Sequence, residues 1–69
     1  MSDDNSTDFA FTTMQTLAKT IGTQMLTIKL HERAGSMDLA NTLRKQNVQL
    51  EEQLDKTIDL YFKMKESNQ

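Results

Sequence analysis

The chain has 69 residues, of which 36% are hydrophobic, and it contains no Cys, no Pro and only two Gly. This composition excludes a disulfide framework and a thiolate metal site, and it leaves few turn residues for a many-stranded β fold. Eight Lys and Arg against ten Asp and Glu give a formal net charge of −2, so we do not expect nucleic-acid binding, which usually needs a basic face. An all-α fold in one unit is what these numbers favour.

The chain starts with a polar, acidic segment. Residues 1–8 include three Asp and no apolar residue after Met1, which predicts a disordered tail. The segment lacks the basic and apolar regions of a signal peptide, so we expect a cytoplasmic or virion-associated protein. Residues 9–28 have the length of a membrane span, but six Thr and two Gln make them too polar for one, and membrane association is not expected.

Apolar residues recur every three or four positions over residues 9–34 and predict a first helix. Its apolar stripe consists of Ala10, Met14, Leu17, Ala18, Ile21, Met25 and Ile28, with Phe11 at the edge. Its opposite side is lined by Thr12, Thr16, Thr20, Thr23 and Thr27. Threonine is a mediocre helix former, so these residues indicate either partial burial against a second surface or a tolerant solvated face.

The only break signal in the middle of the chain is Gly35-Ser36. Glycine suits the left-handed position that follows a helix, and serine suits the cap of the next helix. We predict a tight turn at residues 35–36. The alternative is one long continuous coiled-coil helix, because a single glycine costs only about 1 kcal/mol inside a helix.

A heptad repeat predicts a second helix over residues 37–66, followed by a frayed end at residues 67–69. Position a is occupied by Ala40, Asn47, Leu54 and Tyr61, and position d by Leu43, Leu50, Thr57 and Met64. Residues 43–54 resemble a leucine-zipper segment, with Leu at d and Asn at a, although no basic DNA-contacting region precedes them. Flanking Leu39, Ile58 and Leu60 widen the stripe, as in a helical bundle.

A turn between the two helices would form an antiparallel hairpin with coiled-coil character, in which Ile28 lies beside Leu43 and Ile21 beside Leu50. Two helices make a thin core, so we expect homo-oligomerisation to complete a helical bundle. The residues predicted to form the oligomer interface are Leu43, Asn47, Leu50, Leu54, Ile58, Met14, Leu17, Ile21, Met25 and Ile28. Asn47 is interpreted as fixing register and oligomer order, or alternatively as lying at the solvated edge of the bundle.

Aromatic residues gather at the open end of this hairpin: Phe9 and Phe11 on the first helix, and Tyr61 and Phe62 on the second. They are interpreted either as a cap on the hairpin core or as an anchor that inserts into a partner protein.

The sequence shows no phosphate-binding loop, no Ser/His/Asp set and no zinc spacing, so we expect no enzyme activity, no cofactor and no metal. His31 stands alone near a helix end and is interpreted as a surface or capping residue. The predicted function is that of a small structural or assembly protein which self-associates. Its small size and its cysteine-free, helical composition suggest a phage or viral accessory protein or a virion component. The alternative is a protein-binding module or inhibitor that docks a helical face, or its Phe9/Phe11 end, onto a larger protein.

Overall fold

A computed structural model describes the backbone of residues 2–67 and the side chains of residues 7–67. Two helices, α1 (Ser2–Arg33) and α2 (Met37–Ser67), pack against each other along their length. They run antiparallel, since Asn47 meets Ile21 in the middle of the hairpin and Tyr61 meets Phe11 near its open end. The all-α hairpin predicted from the sequence is confirmed, and the alternative of one continuous helix is wrong.

The ends of the helices differ from the predicted bounds. α1 begins at Ser2 rather than at residue 9, so residues 2–8 extend the helix where a tail was predicted. Once a helix has nucleated, each further residue adds a backbone hydrogen bond at little cost, and no Pro or Gly interrupts this segment. At the other end, α2 continues through Ser67. The rest of the predicted frayed end, residues 68–69, lies outside the described residues, as does Met1.

A Schellman motif joins the two helices, which explains why the chain reverses at Gly35-Ser36. The Ser36 N–H donates to the carbonyl of His31 at 2.8 Å, and the Gly35 N–H donates to the carbonyl of Glu32 at 3.2 Å. Gly35 has a φ of 83°, the left-handed conformation that this motif requires. The first backbone hydrogen bond of α2 then runs from Ala40 N–H to the Ser36 carbonyl at 3.1 Å. The predicted turn is therefore confirmed.

The two glycines should respond to alanine substitution with opposite signs. A Cβ at either position meets nothing within 4 Å, so only backbone preference distinguishes them. Gly35→Ala puts a side chain in the left-handed region and should lower the free energy of unfolding by about 1 kcal/mol. Gly22→Ala, inside α1, should raise it by about 0.5–1 kcal/mol. Urea unfolding followed by circular dichroism measures both, and equal signs would contradict the turn geometry.

The core between the helices is thin. Among the side chains of residues 7–67, only Ala10, Ile28, Ala40 and Asn47 are buried, and none of the large ones is fully enclosed. The hairpin measures 52 × 14 × 11 Å, so it is as long as one helix and consists of a single layer of two helices. Each helix therefore keeps most of its circumference exposed.

Candidate assembly surfaces

The least exposed residues of the two helices form one seam between them. In α2 the buried and half-buried positions from residue 40 onward are Ala40, Leu43, Asn47, Leu50, Leu54, Thr57, Ile58, Tyr61 and Met64. In α1 the matching positions, spaced three and four apart, are Ala10, Met14, Leu17, Ile21, Gln24, Ile28 and His31. Four further α1 residues outside this spacing are also half-buried: Thr7, Thr13, Thr27 and Glu32. All the residues predicted to form an oligomer interface lie in this intrachain seam except Met25, which is 50% exposed. The more exposed side chains of both helices lie outside this seam.

Asn47 is the polar centre of the seam. It is 4% exposed, and its Nδ2 donates to the backbone carbonyl of Ile21 on α1 at 3.3 Å. Its Oδ1 is buried without a hydrogen-bond partner, and the same is true of Gln24 Oε1. Asn47 thus links the two helices and does not lie at a solvated edge. Sequence reasoning missed Gln24 because it is polar, although the three-four spacing from Ile21 and Ile28 marks its position.

One long side of the hairpin, here called the charged face, carries ionic groups near the turn. Arg44 forms a salt bridge with Glu32 across the two helices and also donates to Asn41 Oδ1 at 3.0 Å. An open groove of about 330 Å³ lies on this face, lined by Met25, Ile28, Lys29, Glu32, Arg44, Asn47, Val48 and Glu51. Because the side chains of the ion pair remain partly exposed, at 47% for Arg44 and 30% for Glu32, its contribution to stability is about 0–1 kcal/mol.

The opposite long side, here called the threonine face, carries no charge over most of its length. Phe9 and Thr13 of α1 line a groove there together with Leu60 of α2, which fixes these residues on one side of the hairpin. Residues seven apart return to the same line of a helix, so the rest of the face follows from the sequence. It comprises Phe9, Thr13, Thr16, Thr20, Thr23, Thr27 and Leu30 of α1 with Leu39, Thr42, Gln46, Gln49, Gln53 and Leu60 of α2. Lys56 and Lys63 continue the line of Thr42 and Gln49 and bring positive charge to the face towards the open end.

Five threonine hydroxyls on this face of α1 donate to the backbone of their own helix. Each of the five on this face donates to the carbonyl four residues earlier, at distances between 2.9 and 3.2 Å. Thr20, for example, donates to the Thr16 carbonyl at 2.9 Å. With the Oγ1 atom directed at the backbone, the γ-methyl group is the part of the side chain left for a neighbour.

Aromatic rings close the open end of the seam. The Phe11 and Tyr61 ring centroids are 6.2 Å apart across the two helices, and Phe62 meets Tyr61 edge-on at 5.5 Å. Lys65 Nζ lies 5.4 Å from the centroid of the Tyr61 ring. Phe9 and Phe62 nevertheless remain 67% and 57% exposed. Phe11 and Tyr61 thus contact each other across the two helices, whereas Phe9 and Phe62 keep most of their surface free.

The remaining features give no sign of chemistry within the part of the chain that the structure describes. No group of three or more His, Asp or Glu side chains there is arranged to hold a metal ion. Neither α1 nor α2, over those same residues, has a stretch apolar enough and long enough to cross a membrane. Comparison of the chain with models of protein families, with curated proteins and with solved structures found no match.

Proposed function

We propose that this chain is a non-enzymatic assembly protein whose hairpins associate with copies of themselves to form a helical bundle. The observation that carries this proposal is the number of large apolar side chains that one hairpin leaves about half exposed or more. They are Phe9, Phe11, Met25, Leu26, Leu30, Met37, Leu39, Val48, Leu60 and Phe62. Single exposed apolar residues are ordinary in soluble proteins, but ten among residues 7–67 are more than the thin seam between the helices can bury.

The total exposed surface supports the same conclusion. The hairpin has a solvent-accessible area of 5399 Å² for a mass of 7.9 kDa. A monomeric globular protein of this mass exposes roughly 4,400 Å². The excess of about 1,000 Å² is close to what each partner of a standard protein interface buries, about 800 Å². Association with a second copy would bring the exposed area per chain into the ordinary range.

Self-association predicts that the melting temperature depends on protein concentration. Folding coupled to dimerisation would raise Tm by about 10 °C for a hundredfold increase in chain concentration, given an unfolding enthalpy of about 0.7 kcal/mol per residue. Circular dichroism at 222 nm gives the melting temperature at each protein concentration, with shorter cells used for the more concentrated samples. A melting temperature that stays constant over the whole range would contradict the proposal.

The exposed aromatic rings favour a second candidate, a protein-binding module. Phe9 and Phe62 present most of their surface at the open end, and aromatic residues of this kind dominate the binding energy of many interfaces. In this version the Phe9/Phe11 end docks into a pocket of a larger protein. A monomer that is helical at all concentrations would favour the binding module over the assembly protein, because its apolar surface would then belong to another partner.

A further inference from the structure

We propose that the threonine face is the surface through which two copies of the hairpin pack against each other, face to face. This inference rests on the self-association proposed above and assigns it to one surface. Of the ten exposed apolar residues counted there, Phe9, Leu30, Leu39 and Leu60 lie on this face. Four properties of the face support a second copy of this chain as its occupant: its spacing, its satisfied hydroxyl groups, its lack of charge and its area.

The spacing of the face is that of a second helix-packing stripe. On α1 it follows Phe9, Thr13, Thr16, Thr20, Thr23, Thr27 and Leu30, which alternate in steps of four and three residues and lie beside the seam. Threonine costs roughly 0.5 kcal/mol relative to alanine at each helical position, so a purely solvated face would be better served by Lys, Glu or Gln. A helix with two such stripes has the pattern of one that contacts two neighbours in a bundle.

The hydroxyl groups do not oppose burial of this face. A buried hydroxyl is unfavourable when it loses its hydrogen bond to water and gains none in return. Here Thr13, Thr16, Thr20, Thr23 and Thr27 already donate to carbonyls of their own helix. Removing water from the face therefore breaks no donor hydrogen bond of these side chains, and the methyl groups supply apolar contacts with a neighbour.

The lack of charge on the middle of the face is compatible with a second copy as its occupant. When a surface meets its own copy about a twofold axis, every charge near the axis meets the same charge. The middle of the threonine face carries only Thr on α1 and Gln46, Gln49 and Gln53 on α2, so no like charges are brought together there. The charged face, in contrast, would bring Glu51 and its neighbours together and would have to desolvate the Arg44–Glu32 ion pair.

The area of the face matches what a stable dimer needs. The hairpin presents a side of 52 × 14 Å, or about 700 Å². Two such sides in contact bury about 1,400 Å², which lies within the range of roughly 1,600 ± 400 Å² for specific interfaces. The apolar residues Phe9, Leu30, Leu39 and Leu60 lie towards the two ends of the face, where they would close the contact around the threonine and glutamine centre.

The test places the same charges on opposite sides of one helix. Thr16→Glu/Thr23→Glu adds two carboxylates to the threonine face at exposed positions. These carboxylates lie three and four residues from Lys19, so ion pairs with Lys19 help to keep α1 helical. Ala18→Glu/Met25→Glu adds the same two charges with the same spacing about 160° away around α1. Sedimentation equilibrium of both variants and the unchanged chain, with circular dichroism in parallel, gives the dissociation constant and the helix content.

We expect the threonine-face variant to raise the dissociation constant at least about 100-fold, because four carboxylates would meet at the interface. Its helix content should reach that of the unchanged chain only at correspondingly higher protein concentration. The opposite-face variant should stay within about threefold of the unchanged chain. Thr16→Val/Thr23→Val keeps the shape of the side chains and should associate at least as tightly. It is the control that shows whether substitution at these two positions by itself prevents folding.

Three results would overturn the assignment. Greater or equal weakening by Ala18→Glu/Met25→Glu would place the interface elsewhere while leaving self-association intact. Dissociation of the valine variant would show that the hydroxyl groups themselves are needed between copies. If the unchanged chain is monomeric, both self-association and its assignment to the threonine face are wrong. The first two results would contradict only the assignment to the threonine face.

Discussion

Leu50→Asp is expected to unfold the hairpin itself, rather than only separate one copy from another. Leu50 is half-buried in the seam at a d position of α2, beside the buried Asn47 layer. An unpaired carboxylate at this position loses apolar contacts and is partly removed from water, with an expected loss of about 2–4 kcal/mol. Because the hairpin fully encloses no large side chain, that loss is comparable to its whole stability. Circular dichroism should show a largely disordered chain at 25 °C.

The matched control for this change is Leu26→Asp, which makes the same substitution at an exposed position of α1. It removes little buried surface, so the free energy of unfolding should change by about 0.5–1 kcal/mol, mainly through helix propensity. A Leu50→Asp variant that keeps full helix content and loses only association would contradict the placement of Leu50 within one chain. In that case the seam would lie between copies, as the sequence alone suggested.

Asn47→Leu is expected to stabilise the hairpin and to weaken the specificity of its pairing. The Asn47 amide is buried, makes one hydrogen bond of 3.3 Å to the Ile21 carbonyl and leaves Oδ1 without a partner. Leucine removes that unsatisfied acceptor and adds apolar burial, with an expected gain of about 1–2 kcal/mol in the free energy of unfolding. A single buried Asn also fixes helix register, so its loss should allow additional pairings and oligomeric states.

Two measurements check the Asn47 prediction. Urea unfolding should shift to a higher midpoint, whereas Lys45→Leu, which adds a leucine at an exposed neighbouring position, should change the free energy of unfolding by less than about 0.5 kcal/mol. Sedimentation velocity should show one associated species for the unchanged chain and a mixture for Asn47→Leu. A lower urea midpoint would mean that the Asn47–Ile21 hydrogen bond outweighs the gain from apolar burial.

The sequence predicts the seam of α2 better than that of α1. In α2 the heptad positions from Ala40 to Met64 are also its less exposed positions, because Leu, Tyr and Met there alternate clearly with charged residues. In α1 few charges mark the solvated side, and counting apolar residues places Met25 in the stripe. The three-four spacing instead brings Gln24 into the seam, one residue or about 100° away. Hydrophobicity alone is therefore a poor guide to the buried side of a helix whose polar residues are mostly uncharged.

The turn was predictable because it depends on local backbone chemistry. Gly35 takes the positive φ that other residues rarely adopt, and Gly35-Ser36 has no competing break signal in the middle of the chain. The start of α1 depends instead on how far a formed helix propagates through polar residues. Composition favours a tail there, while backbone hydrogen bonding extends the helix to Ser2.

The neighbour that each apolar residue contacts could not be predicted from the sequence and became clear only from the fold. The sequence shows which side chains prefer burial, but it does not distinguish contact with the other helix of the same chain from contact with another copy. Once Leu43, Leu50 and Leu54 are placed in the intrachain seam, the surplus apolar surface becomes Leu30, Leu39 and the other exposed residues. Thr16, Thr20, Thr23 and Thr27 of the threonine side, open to two interpretations from the sequence, then lie on the threonine face of the hairpin, together with Thr13 in place of Thr12.

The central claim is that one hairpin is incomplete and that copies of it associate. Sedimentation equilibrium of the unchanged chain over a hundredfold concentration range tests this most directly, because it reports mass without assuming a shape. We predict a helical species at an integral multiple of 7.9 kDa that dissociates on dilution. A helical species that stays at 7.9 kDa at every concentration would contradict the claim, and the exposed apolar surface would then belong to a different partner.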